Sequence, residues 1–454
     1  MGPTMLVLGA LTAWLMGLGE AGASSSASGG AGSPPAGSAM PTILTLDNAL
    51  DLALAHHPSL RVASGTQAVN QARVGQAQSG FYPQVQARSA YQQATANLAF
   101  RFGGLPIPRQ TSHESFGTYF NSVTLNQMIY DFGKIKSQVD TARFNLQAAR
   151  SDAETTLQTV VVNVQQAYYS LQQAQRLAMV SEEAIAQFRK HLDLARGRFK
   201  AGVAPKIDVT TAEVDLSNAK LNVITATNDV LLARIALNNA MGITTTDPYR
   251  VEDPVAFEPY GITLEEAVDR ALQQRPEMIT QRALEQAAES AIKTAQSDFF
   301  PTVAGTANYA YNGQEFPLVW NWNVTGSVNF PIFSGFLTKQ QVAEARANLL
   351  RTKANGDVLR QTILAEVSQA LLNLRAAAER LQVTAVTVTQ ARERLALVEG
   401  RYKAGLSNAV EVTDAEVTLV NAQVNDVVAA SNYRAAKAQL ERAMGAVTSV
   451  QGRP

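Results

Sequence analysis

The sequence predicts a mainly α-helical chain with a membrane β-barrel portion. It reads as a duplicated repeat in which long helices form a coiled-coil barrel and four strands per chain contribute to a 12-stranded barrel in a trimer. Three observations carry this expectation. The same landmarks occur twice in the same order. In each copy apolar residues recur in alternating steps of three and four. Between the landmarks, a short region switches to a strict alternation of apolar and uncharged polar residues.

The chain is duplicated, and the repeat sets how its remaining segments divide. Thr45-Leu-Asp-Asn-Ala-Leu-Asp, ending at His57-Pro58, recurs as Thr263-Leu-Glu-Glu-Ala-Val-Asp, ending at Arg275-Pro276. Phe81-Tyr82-Pro83 recurs as Phe299-Phe300-Pro301; both pairs are offset by 218. Downstream the offset becomes 203, from Ile129-Tyr130 and Ile332-Phe333 through to Ala240-Met241-Gly242 and Ala443-Met444-Gly445. The first copy therefore carries 15 extra residues, placed in the Gly/Pro-rich stretch 102–113.

Each copy contains one very long helix. From Leu146 an apolar or small residue recurs through Ala149, Ala153, Leu157, Val160 and Val164 and on to Phe199; the second copy runs from Val367 through Leu374, Leu381 and Val388 to Tyr402. Such a seam, held for about seven heptads, is a coiled-coil signature. A helix over 134–201 would be roughly 100 Å long. Phe199-Lys200-Ala201-Gly202 and Tyr402-Lys403-Ala404-Gly405 end these helices, with glycine at the position that favours a left-handed backbone. Return helices over about 207–240 and 409–444 make each motif the tip of an antiparallel hairpin.

The period changes between Pro301 and Pro331. Val303, Ala307, Tyr309 and Tyr311, and then Trp320, Trp322, Val324 and Val328, alternate with Asn, Thr and Ser. An apolar face with an aromatic girdle (Tyr309, Tyr311, Trp320, Trp322) against a polar, uncharged face is how a membrane strand reads. Residues 84–93 and 115–128 carry a weaker version. A soluble hairpin or sandwich with one wet face fits the strands alone. The secretory signal read in residues 1–23 and the aromatic clustering favour the membrane. Two hairpins give only four strands, the smallest membrane barrels need about eight, and open edges are not tolerated in lipid, so the chain is expected to share its barrel with sister copies.

Composition narrows the function. There are 38 basic and 38 acidic residues in 454, which gives no polyanion-binding surface and no expectation of nucleic acid. Cysteine is absent, which excludes disulfides and thiolate chemistry. His56, His57, His113 and His191 form no ligand cluster with carboxylates at helical spacing, His56-His57 before Pro58 reads as a helix end, and no phosphate-cradling loop or nucleophile elbow occurs. The chain is therefore not expected to be an enzyme or to bind a cofactor or metal. Residues 1–23 read as a secretory signal and 24–43 as a flexible leader. They are followed by a first repeat over 44–242, a linker over 243–262, a second repeat over 263–445 and a tail over 446–454.

These marks together resemble the TolC-like outer-membrane efflux protein family, the outer-membrane factors. The likeness rests on the duplicated Leu-x-x-Ala-(Leu/Val) openings that end in Pro, the Phe-(Tyr/Phe)-Pro approach to the strands, the Ile-(Tyr/Phe)-(Asp/Ser) exit and above all the two Phe/Tyr-x-x-Gly tips followed by (Asp/Glu)-Val-x-x-Ala. It implies a homotrimer in the outer membrane that projects into the periplasm. The implied role is the passive exit duct of a tripartite pump, working with a periplasmic adaptor and an inner-membrane transporter. The resemblance maps an acidic ring onto Glu411 and Asp414, and a gate-closing contact onto Tyr402 and Asp208. A basic residue common two positions after the tip glycine is Ser407 here. The tips at Phe199–Gly202 and Lys403, Ala404, Gly405 and Leu406 map onto adaptor-docking surfaces. Packing in the seam is the competing reading for Phe199 and Tyr402, and a helix-start capping box from Asn408 to Glu411 competes for the acids. Type I protein secretion, or a soluble exported coiled-coil scaffold, are the alternative functions.

Overall fold

Threonine opens both repeats because its hydroxyl caps a helix. Thr45 Oγ1 accepts the Asn48 N–H at 3.2 Å, and Thr263 Oγ1 accepts that of Glu266 at 3.3 Å. Glu266 returns its carboxylate to the Thr263 N–H at 3.2 Å, a reciprocal capping box. The structure, a computed structural model, describes residues 43–95, 115–244, 248–252 and 260–446. Expectations for the signal segment, the leader, the stretch 102–113 and the tail beyond residue 446 lie outside these residues.

The first repeat runs α1 (Leu46–His56), α2 (Pro58–Gln78), β2 (Gln84–Thr95), β3 (Ser115–Tyr130), α3 (Lys134–Lys200) and α4 (Lys206–Met241), after a two-residue β1 (Ile43–Leu44). A short β4 (Arg250–Val251) precedes the second repeat: α5 (Leu264–Gln274), α6 (Pro276–Ser297), β5 (Thr302–Gly313), β6 (Val319–Asn329), α7 (Leu337–Lys403) and α8 (Ala409–Ala443). The element order is the same twice, and α3 and α7 are both 67 residues, or about 100 Å. A minor unit comprises, among the described residues, Ile43 and 248–250; the other described residues form the major unit.

The helix-to-helix junctions follow from proline. His57 and Arg275 adopt extended backbone before Pro58 and Pro276, so α1 and α5 stop there and α2 and α6 begin with proline in the first turn. Against these junctions press Gly242 and Gly445, the glycines of the two Ala-Met-Gly landmarks. Both are left-handed, at φ 70° and 75°. A Cβ on Gly242 would lie 2.8 Å from His57 Cα, and one on Gly445 2.9 Å from Arg275 N. The start and end of each repeat are thus locked together at a glycine. Beside the second lock, Arg275 is buried and pairs with Glu366 at 2.6 Å and Glu277 at 3.0 Å.

Cores sit along the long helices. In the middle of α3, Tyr168 is fully buried with its hydroxyl 3.1 Å from the carbonyls of both Leu44 and Glu252. Ile363, Val367, Leu371 and Leu374 of α7 pack with Ala267, Ala271 and Met278 of the short helices and with Tyr433, Leu440 and Met444. Towards the tips the seams become alanine-rich: Ala184, Phe188, Leu192 and Ala195 against Ala212, Leu216 and Ala219, and Ala391 and Leu395 against Ala415, Leu419 and Ala422. The seam expected from spacing is buried or half-buried along its length, with one exception at Phe199.

The strands form one antiparallel sheet in the order β2-β3-β5-β6, so the two repeats meet at the β3–β5 pairing. Opposed residues share a face. Tyr309 stands opposite Trp322 and Tyr311 opposite Trp320, which brings the expected girdle together on the apolar face with Val85, Ala87, Val123 and Leu125. The other face carries a polar ladder: Thr124 donates to Asn308 at 3.0 Å and Thr306 to Asn126 at 3.1 Å. Every described residue of β6 is exposed, Trp320 at 57% and Trp322 at 65%. Strands β2 and β6 leave free edges. Among the described residues no helix is long and apolar enough to cross a membrane.

Candidate functional site

The two tips are built alike. The N–H of Gly202 donates to Phe199 C=O at 3.0 Å and that of Val203 to Arg198 C=O at 3.0 Å; Gly405 and Leu406 repeat the pattern onto Tyr402 and Arg401 at 3.0 and 2.8 Å. This double closure satisfies the last helical carbonyls and requires a left-handed residue, which is why glycine stands at both places, with φ 74° and 77°. Lys200, Ala201, Lys403, Ala404 and Leu406 are exposed around these turns.

The repeat symmetry breaks at the aromatic residue. Tyr402 is 1% exposed, whereas its counterpart Phe199 is 44% exposed, so the seam-packing reading holds for Tyr402 and not for Phe199. Tyr402 is covered from the first hairpin. Its ring stacks on His191 of α3 with centroids 5.9 Å apart, and the Arg198 guanidinium lies 4.4 Å from the ring centroid. Arg198 also donates to the Tyr402 carbonyl. Ala409, Val412, Leu194 and Val398 complete the pocket.

The contact that the family resemblance maps onto Tyr402 and Asp208 is not a hydrogen bond within the chain. The Tyr402 hydroxyl is buried without a partner. Asp208 is half-buried and acts on it only through charge; burial raises the phenol above its ordinary range and Asp208 adds to this, while Arg198 opposes it. The ring's stacking, rather than its hydroxyl, joins the two hairpins.

At the start of α8, Asn408 caps the helix by accepting the Glu411 N–H at 2.9 Å. The expected capping box is only half present. The Glu411 carboxylate turns instead to the Ser407 hydroxyl at 2.6 Å and lies 3.7 Å from Arg401. Ser407, where a basic residue is common in the family, thus holds the acid by a hydrogen bond. Asp414 is exposed, one turn on from Glu411.

One residue that sequence reasoning passed over, Glu416, lies just above, beside His191. Glu416 of α8 is 2% exposed, with Oε1 3.9 Å from His191 Nδ1 and Oε2 without a hydrogen-bond partner. The signal was available in the repeat: Glu416 aligns with Glu213, but the arginine that pairs with Glu213, Arg196, is replaced in the second copy by Glu399.

Residues 49–243 and 267–446 match the family described as outer membrane efflux protein. The chain belongs to the outer membrane efflux protein family. It is accordingly an outer-membrane efflux channel protein, and the soluble-scaffold alternative falls away. Among its relatives, Protein CyaE of Bordetella pertussis is 26% identical over 90% of this chain and 86% of its own length. The probable efflux pump outer membrane protein TtgC of Pseudomonas putida is 25% identical over 70% of this chain and 68% of its own. The fold matches that of the outer membrane protein VceC from Vibrio cholerae with a TM-score of 0.76 at 20% identity, over 88% of this chain and 96% of that one.

Proposed function

We propose that three copies assemble into the exit duct of a tripartite efflux pump, with a 12-stranded barrel in the outer membrane and a gate at the periplasmic hairpin tips. The observation that carries this reading is the sheet with two free edges and a continuous apolar face. In lipid an unpaired edge leaves backbone polar groups without partners at several kcal/mol each, so β6 of one copy has to pair with β2 of the next. A second feature supports the assembly. Ile207, Val214, Leu221, Ile224, Leu231 and Ile235 form an exposed apolar stripe along α4 at coiled-coil spacing, suited to a neighbouring copy.

In this reading substrate moves through the polar lumen and the energy comes from partners. The periplasmic adaptor meets the exposed tip residues at 199–202 and 403–406, and the inner-membrane transporter delivers the substrate. Glu411 and Asp414 of three copies form a carboxylate ring at the narrow end, with Tyr402 and Asp208 behind it in the gate. Such a ring concentrates cations.

Single-channel recording in planar bilayers tests the ring. The double variant Glu411→Gln, Asp414→Asn is expected to weaken block by a multivalent cation on the order of tenfold while the trimer persists. Block as strong as in the parent protein would remove the ring from the mechanism.

A further inference from the structure

We propose that Glu416 is a proton-binding site between the two hairpins, and that release of its proton accompanies their separation at the tip. This rests on the reading of the tips as a gate and adds a ligand, the proton, that controls it.

In the first repeat Glu213 is exposed and pairs with Arg196 at 2.7 Å. In the second, the same two positions hold Glu416 and Glu399, two acids in place of a salt bridge. Glu416 is also buried, because α8 packs against α3 of the other hairpin, where Ser431 and Gln439 of α8 bond to Tyr169 and Gln166 further up. A carboxylate with a buried, unpartnered oxygen is costly when charged and far less so when protonated.

The groups around it are few. From α3 come His191 and Lys190, from α4 Asp208 and Asp215, and from α7 Glu399 and Tyr402. Lys190, the one cation among them, is drawn to Glu399 at 3.7 Å, and Asp215, which accepts from the Thr413 hydroxyl at 3.2 Å, adds like charge. His191 lies 3.9 Å away, beyond hydrogen-bond reach, with its other side against the Tyr402 ring. Burial, then Glu399 and Asp215, push the Glu416 carboxyl up to about 8 from 4.5, with Lys190 opposing. Burial lowers His191 from 6.5, with Asp215, Glu399 and Asp208 opposing.

The two groups act in opposite directions. Glu416 favours the packed tip fully below about pH 4.5, and that contribution is lost as pH rises through about 8. His191 favours the packed tip above about pH 6.5, and that contribution is lost as pH falls through its lowered value. Between about pH 6.5 and 8 only Glu416 exchanges a proton on separation. The separation constant therefore rises about tenfold per pH unit per chain in that window.

The absence of cysteine makes the test clean. In the full-length assembled protein, Lys200 and Lys403 are replaced by cysteine and spin-labelled. The distance distribution between hairpins is then followed from about pH 6 to 9, with conductance recorded in parallel. The parent protein is expected to shift towards the separated population by about tenfold per pH unit between about pH 6.5 and 8 and to level off above, and Glu416→Gln, which mimics the protonated acid, is expected to stay packed with no slope. His191→Gln should keep the alkaline slope. An infrared band of a protonated carboxyl, present in the parent at neutral pH, lost above about pH 8 and absent from Glu416→Gln, gives a readout that does not depend on movement. A slope that survives in Glu416→Gln, or a parent protein with neither slope nor band, overturns the proposal. Distances that titrate while conductance stays flat leave the proton site standing and remove the gate reading.

Discussion

Replacing Gly445 by alanine is expected to destabilise the second repeat by about 3 kcal/mol, one of the largest losses from adding a single methyl group to this chain. Two costs combine. At φ 75° an L-residue pays roughly 1–2 kcal/mol for the left-handed backbone. The new Cβ would also sit 2.9 Å from Arg275 N and 3.0 Å from Arg275 Cα and Gln274 C, all backbone atoms that cannot rotate away. Any shift of Arg275 disturbs its pairing with Glu277 and Glu366, and a buried guanidinium that loses its partners is costly. Gly405→Ala is the control. It shares the left-handed backbone but has no atom within 4 Å of the added carbon, so only the strain remains. Urea unfolding followed by circular dichroism at the helix bands measures both; equal losses would mean that the lock at residue 275 contributes nothing.

Tyr402→Ala is expected to cost about 3–5 kcal/mol, the range for emptying a buried aromatic site, and to raise the open probability of the channel. The ring is the element common to both hairpins, through His191 and Arg198. Tyr402→Phe, in contrast, is expected to stay within about 1 kcal/mol of the parent and to gate normally, because the hydroxyl it removes is buried without a partner. The pair of variants separates two ways of holding a tip closed. If Tyr402→Phe opens the channel as Tyr402→Ala does, a hydrogen bond from the hydroxyl, and not the stacked ring, carries the closure.

Much of the architecture was legible because its signals are repetitive. A seam held through Val160, Val164, Leu171 and Leu192 leaves little freedom of interpretation, and Gly202 and Gly405 stop the helices wherever their seams end. The alternation of Tyr309 and Tyr311 with Asn308 and Asn312 fixed strand faces, since a period of two assigns every side chain at once. The site was less legible. Periodicity put Phe199 and Tyr402 at equivalent positions, but their burial differs because only Tyr402 meets the other hairpin, a tertiary fact with no local signal. The His-Pro and Ala-Met-Gly landmarks were visible as repeat marks, yet their mutual contact spans nearly a whole repeat. Glu416 lies in the return helix just beyond the tip and is hidden by its likeness to Glu213; only the loss of its basic partner distinguishes it.

The central claim is that one chain supplies four strands of a shared barrel. Its most direct measurement is the mass of the full-length protein extracted from membranes in mild detergent, with the detergent contribution removed by native mass spectrometry. Three copies that dissociate only with loss of strand structure are expected. A stable, folded single copy whose β2 and β6 edges stay unpaired in detergent would contradict it.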